Sequence, residues 1–471
     1  MSIVDSLDTL YLMGMENEFN DGVEWVRENL DWHDSKHGQI STFETSIRAL
    51  GGLLAAFDLS GDEILLTRAR ELADGLMNVF DTKTGIASPR TTLFRGGGGS
   101  GGTTLAEAGT LQLEFNFLTQ LTGDDKYRNA SRKFHDFLYE KHQHDSANDR
   151  GGMFPIGVNT ASGQLSGVVS WGASGDSAYE YFLKCFLLSQ NTDVPLLEMY
   201  NRAVNGMKDR LVKTTSSGLR YLPDNGGGAK MEHLACFVPG LLALGVIHED
   251  DGGSGGDIAG GGEMLKLAED LADACWQMYE QVSCERSCVQ FLVEDSCLRK
   301  NTSFSRFSPS AESRAQRIRG VSGVSPVFSN PITIIHKQSQ TATGLAPEAI
   351  MFNDDGSVRG IGGVKWNILR PESVESFFIL YELTGDEKYR ERAFKVWEAF
   401  EKHCKAEWGY GAHPDVFNVN NKCCRGNDDK QETFWMAETL KYMYLIQKPD
   451  HGINLFDYVF NTEAHPFKIK K

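Results

Sequence analysis

Long stretches of this chain space apolar residues three and four positions apart, the pattern of a helix that buries one face. A short phrase recurs between such stretches: Leu59-Ser60-Gly61-Asp62, Leu121-Thr122-Gly123-Asp124 and Leu383-Thr384-Gly385-Asp386. Glycine suits the left-handed residue that closes a helix, and aspartate suits the N-cap of the next one. The phrase therefore predicts the turn of an αα-hairpin, used repeatedly. The segments before the turns are apolar on much of their circumference and read as inner helices. Those after them, such as 124–140 and 388–403, are polar on one side and read as outer helices.

The inner segments share a second feature. Each opens with a carboxylate: Asp5 (with Asp8), Glu44, Glu107, Asp176, Glu232, Glu372 and Glu432. Any one of them fits the preference of acids for a helix N-terminus. In an αα-barrel the inner helices run in parallel, so these seven acids are expected to ring one mouth. The cluster Arg370-Pro371-Glu372-Ser373-Val374-Glu375 is the most pointed. Pro371 fits a first helical turn and sets Glu372 and Glu375 on adjacent turns of one face. Arg370 can hold one of them ionised. An ionised carboxylate opposite a protonated one is what glycoside hydrolysis needs. Glu44 with Arg48, and Asp176 with Glu180, are further same-helix pairs. Near the C-terminus, Tyr458-Val459-Phe460-Asn461-Thr462-Glu463-Ala464-His465-Pro466 sets an amide, a hydroxyl, a carboxylate and an imidazole between apolar flanks. Its oxygens suit a hard cation such as calcium. A terminal strand with a polar kink is the plainer alternative.

Composition narrows the field. The chain has 471 residues and a net charge of −17 with no long basic run, which argues against nucleic acid. No apolar run is long enough to cross a membrane, and Met1-Ser2-Ile3-Val4-Asp5 enters directly into patterned sequence without a signal-like segment. Nine cysteines are too few and too scattered for a disulfide scaffold. The glycine-rich stretches 96–102 and 252–262 lack the strand-and-helix setting of a phosphate loop. Cys284, Cys288 and Cys297 have no fourth zinc ligand at a sensible spacing.

Taken in order, the motifs resemble glycoside hydrolase family 47, the class I α-1,2-mannosidases of the processing type. The resemblance runs from Val4-Asp5-Ser6-Leu7-Asp8-Thr9-Leu10 to Asn461-Thr462-Glu463-Ala464-His465-Pro466. Between these lie Phe43-Glu44-Thr45-Ser46-Ile47-Arg48, Gly175-Asp176-Ser177, Lys230-Met231-Glu232-His233-Leu234, Gly344-Leu345-Ala346-Pro347-Glu348, Leu369-Arg370-Pro371-Glu372 and Ala437-Glu438-Thr439-Leu440-Lys441-Tyr442. It implies an all-α fold, a single (αα)7 barrel plugged by a C-terminal β-hairpin. It also implies calcium-dependent, inverting removal of terminal α-1,2-linked mannose from high-mannose N-glycans. Carried over, Glu372 is the general base and Glu44 the general acid, with Asp176 the competing candidate. Thr462 binds calcium through its hydroxyl and carbonyl, the carboxylates holding waters. Arg48, His233, Arg370, Glu375, Phe434, Glu438 and Glu463 shape the innermost sugar subsite or the calcium shell. Glu107, Glu232 and Glu348 lie further out. Cys236 and Cys275 match a disulfide of the trimming enzymes, and Ser174, where single-mannose enzymes carry arginine, resembles the broader trimming type. The resemblance places the protein in the lumen of the endoplasmic reticulum or Golgi, as a monomer. Other readings are a glycan-binding homologue of glycoprotein degradation and an inactive truncated homologue.

Two departures are expected. The family's first outer helix, with an acid-bearing loop and a signal or membrane anchor, lies upstream of the Val4 motif and is missing here. That would leave apolar surface near Asp5 uncovered. Residues 282–340 interrupt a helix continuing from Cys275, and without them Gln281 joins Thr341 in the family's pattern. Val282-Ser283 can be encoded by GTGAGT and Gln340 by CAG, the borders of an intron, and the 59 residues keep the frame. The segment reads as a retained intron or a disordered insertion that holds no site residue.

Overall fold

The computed structural model describes residues 1–34, 38–95, 101–144, 150–225, 228–249, 258, 261–280, 342–361, 363–424 and 429–469. The segment 282–340 lies outside them, with Cys284, Cys288 and Cys297, as does most of both glycine-rich stretches.

Thirteen helices of eight residues or more build the described part: α1 (Ser2–Leu12), α2 (Glu16–Asn29), α3 (Gly51–Ser60), α4 (Glu63–Leu76), α5 (Gln112–Thr122), α6 (Lys126–His144), α7 (Asp176–Leu188), α8 (Val194–Arg210), α9 (Val238–Ile247), α10 (Gly261–Gln277), α11 (Glu372–Thr384), α12 (Glu387–His403) and α13 (Leu440–Gln447). The odd-numbered helices form the inner layer. In α7 every residue from Ser177 to Leu188 is buried, and α9, Val-Pro-Gly-Leu-Leu-Ala-Leu-Gly-Val-Ile, is apolar all round. The even-numbered helices bury one stripe and show a polar face to water, as α4 and α12 do. Each αα-hairpin reverses the chain, so the inner helices share one direction and their N-termini one end. The all-α barrel expected from the sequence is the fold observed. Ile3, Tyr11 and Met15, on and beside α1, are exposed.

The recurrent turn works as its residues predict. Gly61, Gly123 and Gly385 close α3, α5 and α11 in the left-handed conformation, at φ 76°, 74° and 66°. Asp62, Asp124 and Asp386 then accept the backbone N–H two residues on, at 3.0–3.1 Å. The hydroxyl before each glycine adds a link that the phrase does not advertise. Ser60, Thr122 and Thr384 each donate to the carbonyl four residues back and accept the aspartate N–H at 3.2 Å.

The barrel is plugged from its C-terminal segment. Tyr458–Phe460 pairs antiparallel with Pro466–Lys468. Phe467 stacks on Phe117 of α5 at 4.5 Å, and Phe460 packs against Phe378 and Tyr442. The polar tip between the strands is buried at Asn461, Glu463, Ala464 and His465. Its close approach explains Gly51-Gly52 at the start of α3. A Cβ on Gly51 would sit 2.6 Å from the Asn461 amide, and one on Gly52 would sit 2.6 Å from the Val4 carbonyl. Cys236 and Cys275 form a disulfide that ties the turn before α9 to α10.

Candidate active site

Two inner helices are wound as π-helix where they meet the site, over Thr45–Leu50 and Trp435–Thr439. Such turns free backbone carbonyls and turn side chains out of register, and they recur at functional sites. Here the carbonyls are met: the Asn461 amide donates to Ile47 (2.9 Å) and the Thr9 hydroxyl to Met436 (2.8 Å). Arg48 sits on the first π segment and Glu438 on the second. Three non-glycine residues with positive φ stand beside other site residues: Ser174 (72°) before Asp176, Leu369 (72°) before Arg370, and Ala464 (58°) after Glu463. Strain of this kind persists where surrounding contacts fix it. At Leu369 the N–H is held by Asn367 (2.8 Å) and the carbonyl by Thr439 (2.6 Å).

These segments converge on a pocket of about 360 Å³ at the N-terminal end of the inner helices. Eight carboxylates line it: Glu44, Glu107, Asp176, Glu180, Glu372, Glu375, Glu438 and Glu463, together with Arg48, Arg370, Phe434 and Thr462.

The carboxylates are not equivalent. Burial alone would raise Glu372, but His233 Nδ1 (2.8 Å) and the guanidinium of Arg370 (3.6 Å) outweigh it and hold it below the usual glutamate range. His233 is itself fixed, with Nε2 2.6 Å from the Tyr279 hydroxyl and 3.0 Å from that of Ser373. The Glu372 carboxylate can only accept, so Nδ1–H donates to it, while the hydroxyls at Nε2 can either donate or accept. Arg370 is anchored from behind by Glu348 at 2.7 and 2.9 Å. Asp176 goes the other way. Burial, reinforced by the charges of Glu180 and Glu372, pushes it up to about 7 against the N–H of Ser177. Glu375 is pushed up to about 8 by burial and by Glu180 and Glu372, despite Lys184 3.7 Å away. Glu438 and Glu463 are raised well above the glutamate range, first by burial and then by neighbouring carboxylates. Glu44 is different again. Its side chain is 47% exposed and lies 2.6 Å from Arg48 Nε. Arg48 also pairs with Glu463, donates to the Thr433 hydroxyl (3.1 Å) and lies 5.7 Å from the Phe434 ring.

This pattern decides what the floor could hold. Thr462 lines the pocket with Glu375, Glu438 and Glu463, whose charged forms are disfavoured by burial and by neighbouring carboxylates and would be favoured by a divalent cation. The donors are all oxygens, which suits calcium. Among the described residues no three His, Cys, Asp or Glu converge as a direct metal cage. The set therefore fits a cation held by Thr462 and by waters on the carboxylates.

The family model of glycosyl hydrolase family 47 matches residues 1–469. The chain belongs to this family. A mannosyl-oligosaccharide 1,2-alpha-mannosidase of Arabidopsis thaliana is 36% identical over 482 residues, spanning 99% of this chain and 71% of the relative. A mannosyl-oligosaccharide alpha-1,2-mannosidase IA of Spodoptera frugiperda is 34% identical over 479 residues, covering all of this chain but 60% of the relative. The chain thus spans well under the full length of these relatives. The solved structure of an alpha-1,2-mannosidase from Trichoderma reesei superposes with a TM-score of 0.77 at 25% identity, over 100% of this chain and 90% of that one.

Against this family frame the expected ring of seven acids needs correction. Glu44, Glu107, Asp176 and Glu372 do line the pocket. Asp5, Glu232 and Glu432 do not. Asp5 is fully buried beside His465 (3.2 Å) under the hairpin. Glu232 ends a strand, Lys230–Glu232, and is spent on Lys230 (2.7 Å) and the Ala173 N–H (3.1 Å). Glu432 pairs with Lys430 at 2.6 Å, and Glu438, inside the π turn, takes the place at the pocket. Helical spacing misplaces Glu232 and Glu432 because a strand and a π turn stand where a regular helix is expected; Asp5 does lie on a regular helix, but the hairpin tip covers it. Glu107 holds the capping box of a short helix, Leu105–Gly109, while lining the pocket. Tyr279, Ser373, Thr433 and Lys184 support the site and carry no local sequence signal beyond the Glu180–Lys184 spacing.

Proposed function

We propose that the chain hydrolyses terminal α-1,2-linked mannose from high-mannose N-glycans with inversion and with calcium as cofactor. The observation that carries this reading is the opposed pair in one pocket: Glu372 held below the usual glutamate range by His233 and Arg370, and Asp176 pushed up to about 7 by burial and by neighbouring carboxylates. In this reading the sugar ring lies across the floor with Phe434 against its apolar face. Glu372 accepts the proton of a water that attacks the anomeric carbon from the face opposite the leaving group. Asp176 supplies the proton that the departing glycosidic oxygen takes up. Arg370 holds Glu372 in place as its charge changes. Glu44, half-exposed and paired with Arg48, is assigned to the leaving-group side of the pocket. The alternative, Glu44 as acid acting through water, remains the competing assignment. Thr462, with waters on Glu375, Glu438 and Glu463, would hold calcium, which would bind the sugar's hydroxyls and help distort the ring.

The Cys236–Cys275 disulfide supports an oxidising compartment such as the secretory lumen. No helix among the described residues is long and apolar enough to cross a membrane.

The test is mannose release from an α-1,2-linked disaccharide, with and without a chelator, followed by proton NMR of the first product. Release of β-mannose, abolished by chelation and restored by calcium, is the expected result. Full activity in verified metal-free protein would remove calcium from the reading. Initial α-mannose would make Glu372 a nucleophile rather than a base.

A further inference from the structure

The strand-like run from Trp366 to Arg370 alternates in burial. Asn367 and Leu369 are buried, whereas Trp366 is 38% exposed, Ile368 is half-buried and Arg370 lines the pocket. The run is fixed on both edges. Asn367 and His413 exchange backbone hydrogen bonds at 2.9 and 2.8 Å, and the Glu348 N–H donates to the Trp366 carbonyl at 3.1 Å. Glu348 in turn grips Arg370. The rim continues from there, since Glu348 adjoins Ala349, which pairs with Glu232, and Glu232 accepts the N–H of Ala173 at the pocket edge. Four extended residues span at most roughly 14 Å, so the Trp366 backbone lies within a short oligosaccharide's length of that of Arg370. Among the described residues it stacks on no other ring. A single exposed apolar side chain is ordinary. A partly exposed indole on a backbone held at both edges, four residues from the pocket-lining Arg370, offers a face suited to the apolar side of a sugar ring.

We propose that Trp366 is a stacking platform for the mannose residues beyond the scissile bond, and so a specificity-determining residue that favours branched oligosaccharides over disaccharides. The proposal rests on the mannosidase reading above.

Steady-state kinetics of the calcium-loaded protein test it, with a high-mannose oligosaccharide and an α-1,2-linked mannose disaccharide as parallel substrates. Trp366→Ala is expected to raise KM for the oligosaccharide roughly 5- to 30-fold, the order expected for losing one buried aromatic face. kcat should stay within about twofold and the disaccharide kinetics unchanged. Trp366→Phe should restore most of the loss. Trp408→Ala should change neither substrate, although Trp408 is 88% exposed, at a hairpin tip. An unchanged oligosaccharide KM, or an equal loss on both substrates, overturns the proposal. Calorimetric titration of the oligosaccharide into Glu372→Gln, with and without Trp366→Ala, separates the two claims. If the parent chain releases no mannose, the hydrolase reading fails, and Trp366 is still judged by whether its loss weakens oligosaccharide binding.

Discussion

Two carboxyl groups in one pocket are driven in opposite directions by their neighbours, and the neighbours are named residues. Glu372 has a histidine and an arginine; Asp176 has its burial, reinforced by two carboxylates. The arginine beside Glu372 is adjacent in sequence and could be read from it. The histidine is 139 positions away, and of its own supports Ser373 follows Glu372 on α11 while Tyr279, just past α10, lies 46 positions from the histidine. No local pattern announces such a relay. The electrostatics bear on the acid, which the sequence alone left between Glu44 and Asp176. A base that must be ionised loses activity as pH falls through its depressed pKa, and an acid that must be protonated loses activity as pH rises through about 7. The kcat/KM profile should therefore fall on the alkaline side near pH 7. Asp176→Asn should remove that limb, and Glu44→Gln should keep it at lower activity. Loss of the limb in Glu44→Gln with its retention in Asp176→Asn would reverse the assignment. Glu372→Gln should lower kcat by about 10²–10⁴-fold while oligosaccharide binding is largely kept.

At the scale of elements, the recurrent turn was readable because each of its residues has one dominant backbone role. The π turns were not, because their sequences, Thr-Ser-Ile-Arg-Ala-Leu and Trp-Met-Ala-Glu-Thr, keep helical composition. What stabilises them comes from afar: Asn461 on one and Thr9 on the other. The hairpin tip is locked on α1 by a buried charge network. His465 lies 3.0 Å from Asp8 and 3.2 Å from Asp5, and Lys441 lies 2.6 Å from Asp8. Burial alone would depress His465, yet Asp8 and Asp5 hold it up at about 9. A histidine raised in the folded state contributes stability that is fully present below its unfolded value, near 6.5, and is lost as pH rises through about 9. Replacing it leaves two buried carboxylates short of a partner, which costs roughly 3–5 kcal/mol. His465→Ala should thus lower urea stability at pH 6 by that order. It should also flatten the alkaline decline seen in the parent chain between pH 6.5 and 9.5. An unchanged decline in the variant would mean that another group titrates there.

At the scale of the whole molecule, the barrel and its plug account for every residue assigned to the site, and none falls within 282–340. Both flanks of that segment nevertheless reach the site. Upstream, α10 leads to Tyr279, which holds His233. Downstream, Thr343 donates through its N–H and its hydroxyl to the Val416 carbonyl, at 3.2 and 2.9 Å, and the chain then runs on to Glu348. An insertion between two such anchors is tolerated only if they stay in place, and lengthening a surface loop is cheap, about 0.6 kcal/mol for each doubling. Removing residues 282–340, so that Gln281 meets Thr341, should therefore leave kcat/KM on the disaccharide unchanged or improved and the melting temperature unchanged or higher. Extending the deletion through Tyr279 should abolish activity by freeing His233 and, through it, Glu372. The two deletions separate a dispensable segment from one that braces its flanks: loss of activity in the shorter deletion would show bracing. Transcript sequencing addresses the origin independently. A shorter message lacking these codons is expected, and mature messages that all contain them would refute the retained intron.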